Sequence, residues 1–155
     1  MNYYMFKYCV WYLLNDTHVI NKRIKSNSNL LKTLPFPGHI TIKHTLDRKQ
    51  AEDLFEEYSK KEKPFFLRFG QLTCSSTKIE NTTFHSIEQP LKVCGMYISN
   101  PHISMAYRIN KEPFTTDEVE KINTSTFNII HSDFTLCLAH CFSENPSEWT
   151  VLKKI

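Results

Sequence analysis

Gly38-His39-Ile40-Thr41-Ile42-Lys43-His44 and its echo Pro101-His102-Ile103-Ser104-Met105-Ala106-Tyr107 decide how this chain is read. Each copy runs His, apolar residue, small hydroxyl residue, apolar residue. Each stands behind a Gly or Pro and is rich in apolar or β-branched side chains, which predicts a short strand. Alternate side chains of a strand share a face. His39, Thr41 and Lys43 are therefore expected on one face, with Ile40, Ile42 and His44 on the other. In the second copy His102, Ser104 and Ala106 are expected opposite Ile103, Met105 and Tyr107. His102 follows His39 by 63 positions (102 − 39), so the copies occupy comparable places in the two halves of the chain. Two such strands facing each other would make a site with two imidazoles and two hydroxyls.

Outward from the motifs, Tyr4 to Leu14 is aromatic and β-prone, a first strand. Asp16 or Thr17 can cap a helix that buries Val19, Ile20 and Ile24 and frays at Ser26 to Asn29. Leu34 to Gly38 is a turn that delivers the first motif strand. Asp47 and Gln50 form a capping-box pattern, followed by Ala51, Leu54, Phe55 and Tyr58 at helical spacing. Glu56 with Lys60 and Glu57 with Lys61 are expected ion pairs on its wet face. Pro64 ends that helix, and strands are expected at Phe65–Phe69 and Leu72–Ser76. The second half repeats the order loosely. Strands are expected at Thr82–Ile87 and Lys92–Ile98, then comes the second motif. A helix capped by Thr115 with Glu118 is expected to run to about Phe127, with strands at Phe134–Phe142 and Trp149–Ile155. The expectation is a single α+β domain over 1–155, with approximate halves 1–80 and 81–155. Each half would be a small antiparallel sheet with outer helices, the two related by a pseudo-twofold repeat around a central groove.

At 155 residues with 41% hydrophobic and 23% charged residues, the chain is long enough for one real core and ordinary for a globular protein. Its formal net charge of +3 permits an anionic ligand but is too small for a long nucleic-acid footprint. Cys9, Cys74, Cys94, Cys137 and Cys141 are odd in number and irregular in spacing. With no signal-peptide pattern in Met1–Leu14 and no run of about 18 apolar residues, free thiols in a cytosolic compartment are expected. The expected state is a monomer without a membrane partner.

Phosphodiester cleavage needs a base for the attacking oxygen, an acid for the leaving oxygen and donors for the non-bridging oxygens. Imidazole serves both proton roles, since its ordinary pKa of about 6.5 lies near neutrality. One His-x-Thr or His-x-Ser is common by chance; two, one per half and each on a strand, are not. His39 and His102 are the candidate catalytic pair, with His39 as base. Thr41 and Ser104 are the candidate phosphate donors. No metal or other cofactor is expected, and both limbs of the pH–rate profile are expected between about pH 5 and 8.

GHITI and PHISM resemble the paired signatures of the two-histidine (2H) phosphoesterases, the LigT-like group. The resemblance lies in motif and layout and spans most of the chain, including the terminal Trp149-x-x-Leu152 strand. It implies a bilobal fold, His39 and His102 as the acid/base pair, and Thr41 and Ser104 on the phosphate. It also implies a small nucleotide or short oligonucleotide substrate, such as a cyclic dinucleotide (cGAMP, for instance) or a 2′-5′ oligoadenylate. Small stand-alone members occur in viruses, where they remove nucleotide messengers of host immunity; a host-cytosolic immune-evasion enzyme is the corresponding expectation. Gly38, where Pro101 stands in the second copy, is a minor departure. The alternatives are an RNA end-processing 2′,3′-cyclic phosphodiesterase and a nucleotide-binding module without turnover.

Each assignment has an ordinary counterpart. Histidines and hydroxyls are common on wet strand faces. Tyr12, Trp11, Tyr107 and Trp149 could stack on a base but aromatics more often fill cores; of these Tyr12 is favoured, and Tyr107 and Lys43 complete the expected substrate contacts. His39 with His44, and Cys137 with His140 and Cys141, have metal-like spacing, yet each set splits across two strand faces, so buried thiols are expected at the latter. His18, His85 and His131 lack a partner pattern and are expected at the surface.

Overall fold

A computed structural model describes residues 8–79, 81–122, 126–141, 145 and 148–155. The described chain is α+β. Its strands are β1 (Tyr8–Leu14), β2 (His39–Leu46), β3 (Phe65–Arg68), β4 (Thr73–Ile79), β5 (Thr82–Cys94), β6 (His102–Ile109), β7 (Asn128–Ile129), β8 (Phe134–His140) and β9 (Thr150–Lys154). The helices are α1 (Val19–Leu31), α2 (Arg48–Ser59) and the short α3 (Thr116–Glu120). The strands form one nine-stranded sheet in the order β7-β3-β5-β6-β2-β1-β8-β9, with β4 paired to β5. Every pairing between described residues is antiparallel.

The two motif strands, β2 and β6, are neighbours in that sheet, registered at the pair Ile40↔Ile103. Longer ladders flank this seam: β1 on β2 at one side, β5 on β6 at the other. Both isoleucines are fully buried, so the seam is held by apolar packing as well as by backbone pairing. The sequence expectation of two separate sheets meets a single hydrogen-bonded network whose halves join there.

One sheet face carries the main core. Val10, Tyr12, Leu14, Ile40, Ile103, Met105, Leu136 and Leu138 pack there with Ile20 and Ile24 of α1 and Ala51 and Phe55 of α2. The cap of α2 is as expected: the Asp47 carboxylate accepts from the Gln50 N–H, and the Gln50 side chain accepts from the Asp47 N–H. Of the two expected ion pairs on α2, Lys61–Glu57 forms at 3.3 Å. Elsewhere the local expectations shift. His18, not Asp16 or Thr17, caps α1, its Nδ1 accepting from Ile20 N–H. Val19, expected inside, is 45% exposed. The polar run 26–29 does not fray, because Asn27 is buried and donates to the Met105 carbonyl. A local polarity signal is overridden by a tertiary acceptor. The strands expected at Thr82–Ile87 and Lys92–Ile98 form one strand, β5, ending at Cys94; it runs through Pro90, whose carbonyl accepts from Phe69 N–H. α3 keeps its Thr115/Glu118 capping box but is helical over Thr116–Glu120 only, and residues 123–125 of the expected helix lie outside the described residues. The expected strand residues Tyr4–Lys7 and Phe142, and most of the expected turn at 144–147, also lie outside them.

Candidate functional site

Gly38 sets the entry of the first motif strand. Its N–H donates to Asn21 Oδ1 of α1 at 2.7 Å, and a Cβ there would come within 3.0 Å of that oxygen and 3.1 Å of Leu14 and Ile24. Proline, with neither the N–H nor the clearance, would lose the clamp. This accounts for the difference from Pro101 in the second copy.

Opposing residues on antiparallel strands share a face. Leu13 opposes His39 and Trp11 opposes Thr41; Pro90 opposes His102 and Glu88 opposes Ser104. The sheet face away from the main core therefore gathers His39, Thr41, His102, Ser104, Trp11 and Glu88, and all six line one cavity of about 180 Å³. Beside the Ile40↔Ile103 pair, antiparallel geometry places His39 toward Ser104 and Thr41 toward His102, so each imidazole neighbours the other copy's hydroxyl. A larger cavity of about 600 Å³ holds neither histidine and shares Tyr107 as a wall.

Each motif strand then bulges one residue past its hydroxyl. In β2 Val10 faces Lys43 while Trp11 faces Thr41, leaving Ile42 as the extra residue. In β6 Ile87 faces Ala106 while Glu88 faces Ser104, leaving Met105 as the extra residue. A bulge reverses the alternation beyond it. Hence His44 and Tyr107, both expected on the far face, line the cavity with the motif histidines. Lys43, expected beside His39, turns the other way into a cleft with Leu46, Gln50 and Asp53. That expectation is corrected by the bulge.

Tyr12 is corrected by register. It opposes Ile40, is 1% exposed, and packs on Phe66 and Phe134 in the main core, with its hydroxyl on Met96 Sδ. Its neighbour Trp11 is the aromatic at the site. Trp11 stacks on His39 with ring centroids 3.9 Å apart, and Trp149 closes edge-on at 6.2 Å. Glu88 was absent from the sequence reading; nothing within Ser86-Ile87-Glu88-Gln89 marks it, and only its pairing to β6 does.

The imidazoles are held alike and differ in surroundings. His39 Nδ1 and His102 Nδ1 each lie 2.8 Å from the carbonyl two residues upstream, Pro37 and Asn100 respectively. A carbonyl only accepts, so each Nδ1 carries a proton, and Nε2 is the nitrogen that gains or loses one. His39 is 5% exposed, and burial, aided by the nearby His102, pushes its pKa down to about 4 against the Pro37 bond. It is neutral at pH 7, with a free lone pair on Nε2. His102 Nε2 lies 3.4 Å from Glu88 Oε2, so both of its ring nitrogens have an acceptor when it is an imidazolium. Burial, with a smaller contribution from His102, also lowers the pKa of His44. Burial raises the Tyr107 hydroxyl against a bond from Ser104, keeping it a neutral donor.

The thiols form a cluster that meets the cavity at Cys9. Cys137 and Cys141 are fully buried beside Cys9, whose sulfur is 2.8 Å from that of Cys141. Burial pushes the Cys137 thiol up to about 12. His140 points to the opposite side and stacks on Tyr8. Among the described residues no group of three or more His, Cys, Asp or Glu is placed to hold a metal ion. His131 is exposed as expected, whereas His85 is buried between Ser76 Oγ and the Lys111 carbonyl, and His18 is occupied at its helix cap. No described helix is long and apolar enough to cross a membrane.

Comparison with protein-family models gives no match, and comparison with curated protein sequences gives none either.

Proposed function

We propose that this protein is a phosphodiesterase of the two-histidine type that cleaves a small RNA-like nucleotide without a metal. The observation that carries the reading is the convergence of His39, Thr41, His102 and Ser104, from two similarly bulged strands, on one cavity. The equivalent bulges, the equivalent Nδ1 bonds and the seam at Ile40↔Ile103 support a bilobal, internally repeated fold of that family.

In the proposed reaction His39 is the base and His102 the acid. The ribose hydroxyl beside the phosphate gives its proton to His39 Nε2 as its oxygen bonds to phosphorus. The bond from phosphorus to the leaving oxygen breaks, and that oxygen takes the proton of His102 Nε2. The products are a 2′,3′-cyclic phosphate and a free hydroxyl. An internal nucleophile avoids the entropy of capturing water. Thr41 and Ser104 donate to the non-bridging oxygens as charge builds. Trp149 and Tyr107, both partly exposed, offer faces to a sugar or base at the mouth. A cavity of about 180 Å³ encloses the reacting phosphate more readily than a whole dinucleotide. Cyclic dinucleotides and 2′-5′ oligoadenylates are the substrate classes we put forward, with removal of host immune messengers as the biological role.

The test is a panel of cyclic dinucleotides, 2′-5′ oligoadenylates and 2′,3′-cyclic nucleotides, incubated with protein and excess chelator in heavy-oxygen water and followed by mass spectrometry. Early unlabelled 2′,3′-cyclic ends, abolished by methylating the neighbouring hydroxyl, are expected. Immediate label in a linear phosphate, with the methylated substrate cut equally fast, would assign the attack to water. No turnover across the panel would leave a binding module.

A further inference from the structure

Glu88 is the one feature of the cavity that a phosphate site does not obviously want. Its carboxylate accepts from Ser86 Oγ at 2.8 Å and lies 3.4 Å from His102 Nε2. Ser86 is buried and Glu88 is largely so, which holds the negative charge in place rather than letting it swing into water. The titratable groups that face it are His102 and Tyr107 from β6, His39 and His44 from β2, and Cys9 from β1. No Lys or Arg is among the described lining residues. His39 is neutral at pH 7. Glu88 is the one carboxylate among the described lining residues, and no Lys or Arg stands against it, an unusual balance for a site that takes phosphate.

We propose that Glu88 is a charge gate that selects a singly charged phosphodiester and rejects a phosphomonoester. The proposal rests on the phosphodiesterase reading and narrows its substrate. A diester carries one negative charge across the usable pH range, and a monoester carries nearly two above its second pKa of about 6. One extra charge a few ångströms from a fixed, half-desolvated carboxylate weakens binding by roughly tenfold or more. A cyclic dinucleotide presents only diesters and passes at either linkage. A linear chain with a terminal phosphate beside the scissile linkage does not. The same gate favours release of any product that ends as a monoester.

The experiment compares 2′-deoxyadenosine 3′-phosphate with its methyl ester, which differ by one methyl group and one charge. Neither has the ribose hydroxyl needed for the proposed cleavage. Both of the chain's tryptophans, Trp11 and Trp149, line the cavity, so their fluorescence, backed by calorimetry, reads binding there. At pH 8 the methyl ester is expected to bind about tenfold tighter. At pH 5, where the monoester also carries one charge, the two are expected to bind within about twofold. At pH 5 the two ligands carry the same charge, so histidine protonation acts on both alike there. Glu88→Gln is expected to close the gap at pH 8. Equal affinities at pH 8 in the wild type, or an unchanged ratio in Glu88→Gln, overturn the gate and leave the phosphodiesterase reading standing. If Glu88→Gln does not fold, the wild-type pH comparison decides alone. If the gap behaves as expected while His39→Ala still turns over substrate, the gate stands and the catalytic reading falls. Failure of the methyl ester to bind at millimolar concentration overturns both.

Discussion

β2 and β6 have the same pattern, the same bulge position and the same Nδ1 bond, yet their histidines end in different electrostatic settings. His39 lies under Trp11, deep enough that burial holds it neutral to about pH 4. His102 stands at the mouth, a quarter of its side chain exposed, with the carboxylate of Glu88 against its Nε2. The backbone repeats while the neighbours do not. A repeated motif therefore brings two imidazoles to one cavity, and the unlike strands flanking them, β1 and β5, give them different surroundings. On the proposed reading, that difference makes one the base and the other the acid.

The hardest test of that division removes each histidine in turn. His39→Ala and His102→Ala are each expected to lower kcat by at least ~100-fold with the fold intact by circular dichroism; near-full activity in either would end the pairing. The pH profile of kcat/KM separates them further. The rising limb belongs to His39 and is expected near pH 4. Burial thus moves it below the pH 5–8 window that ordinary imidazoles suggest. A rising limb at pH 6 or above would mean that His39 is not the base.

Stability gives an independent reading of the same burial. Below the ordinary histidine pKa of about 6.5, the unfolded chain binds a proton that folded His39 refuses down to about pH 4. The stabilisation is therefore complete above pH 6.5 and is lost as pH falls toward 4. The expected loss from this residue is about 3 kcal/mol, measured by urea unfolding across that window. His39→Gln is expected to remove that loss. An undiminished fall in stability between pH 6.5 and 4 in His39→Gln would mean that His39 is not the group held neutral by burial.

Smaller effects are expected at the hydroxyls. Thr41→Val and Ser104→Ala should each lower kcat about tenfold with little change in KM, since their bonds strengthen as charge builds on the phosphate. Ser104→Ala has the added consequence of removing the partner of Tyr107. A pure KM effect would reassign both as ground-state contacts. The smallest expected effect is none: excess EDTA should leave the rate unchanged. Activity lost in EDTA and restored by zinc or magnesium would replace the two-imidazole scheme.

Much of this was legible in one dimension. Asp47 and Gln50 marked a helix start because a capping box is a bond between residues three apart. Ile40 and Ile103 were readable as core, and their flanking histidines and hydroxyls as the other face, because alternation is a property of a single strand. Tyr12 against Trp11 was not readable. Both are aromatic neighbours on one strand, and the choice depends on which opposes Ile40. Lys43 failed for a related reason, since an unpaired Ile42 cannot be recognised without the partner strand.

By itself, then, the sequence determined an α+β chain with two like strands, each presenting a histidine and a hydroxyl on one side. The tertiary structure decided that those strands touch, that Trp11, His44, Tyr107 and Glu88 join them, and that Tyr12 and Lys43 do not. The physical reason is that a strand's side-chain period is two, so a one-residue change in pairing or a single bulge moves a residue across the sheet. That register is fixed by cross-strand hydrogen bonds and core packing, which no local pattern contains. Burial of His39 and the carboxylate beside His102 come from strands remote in sequence, and with them comes the proposed assignment of base and acid.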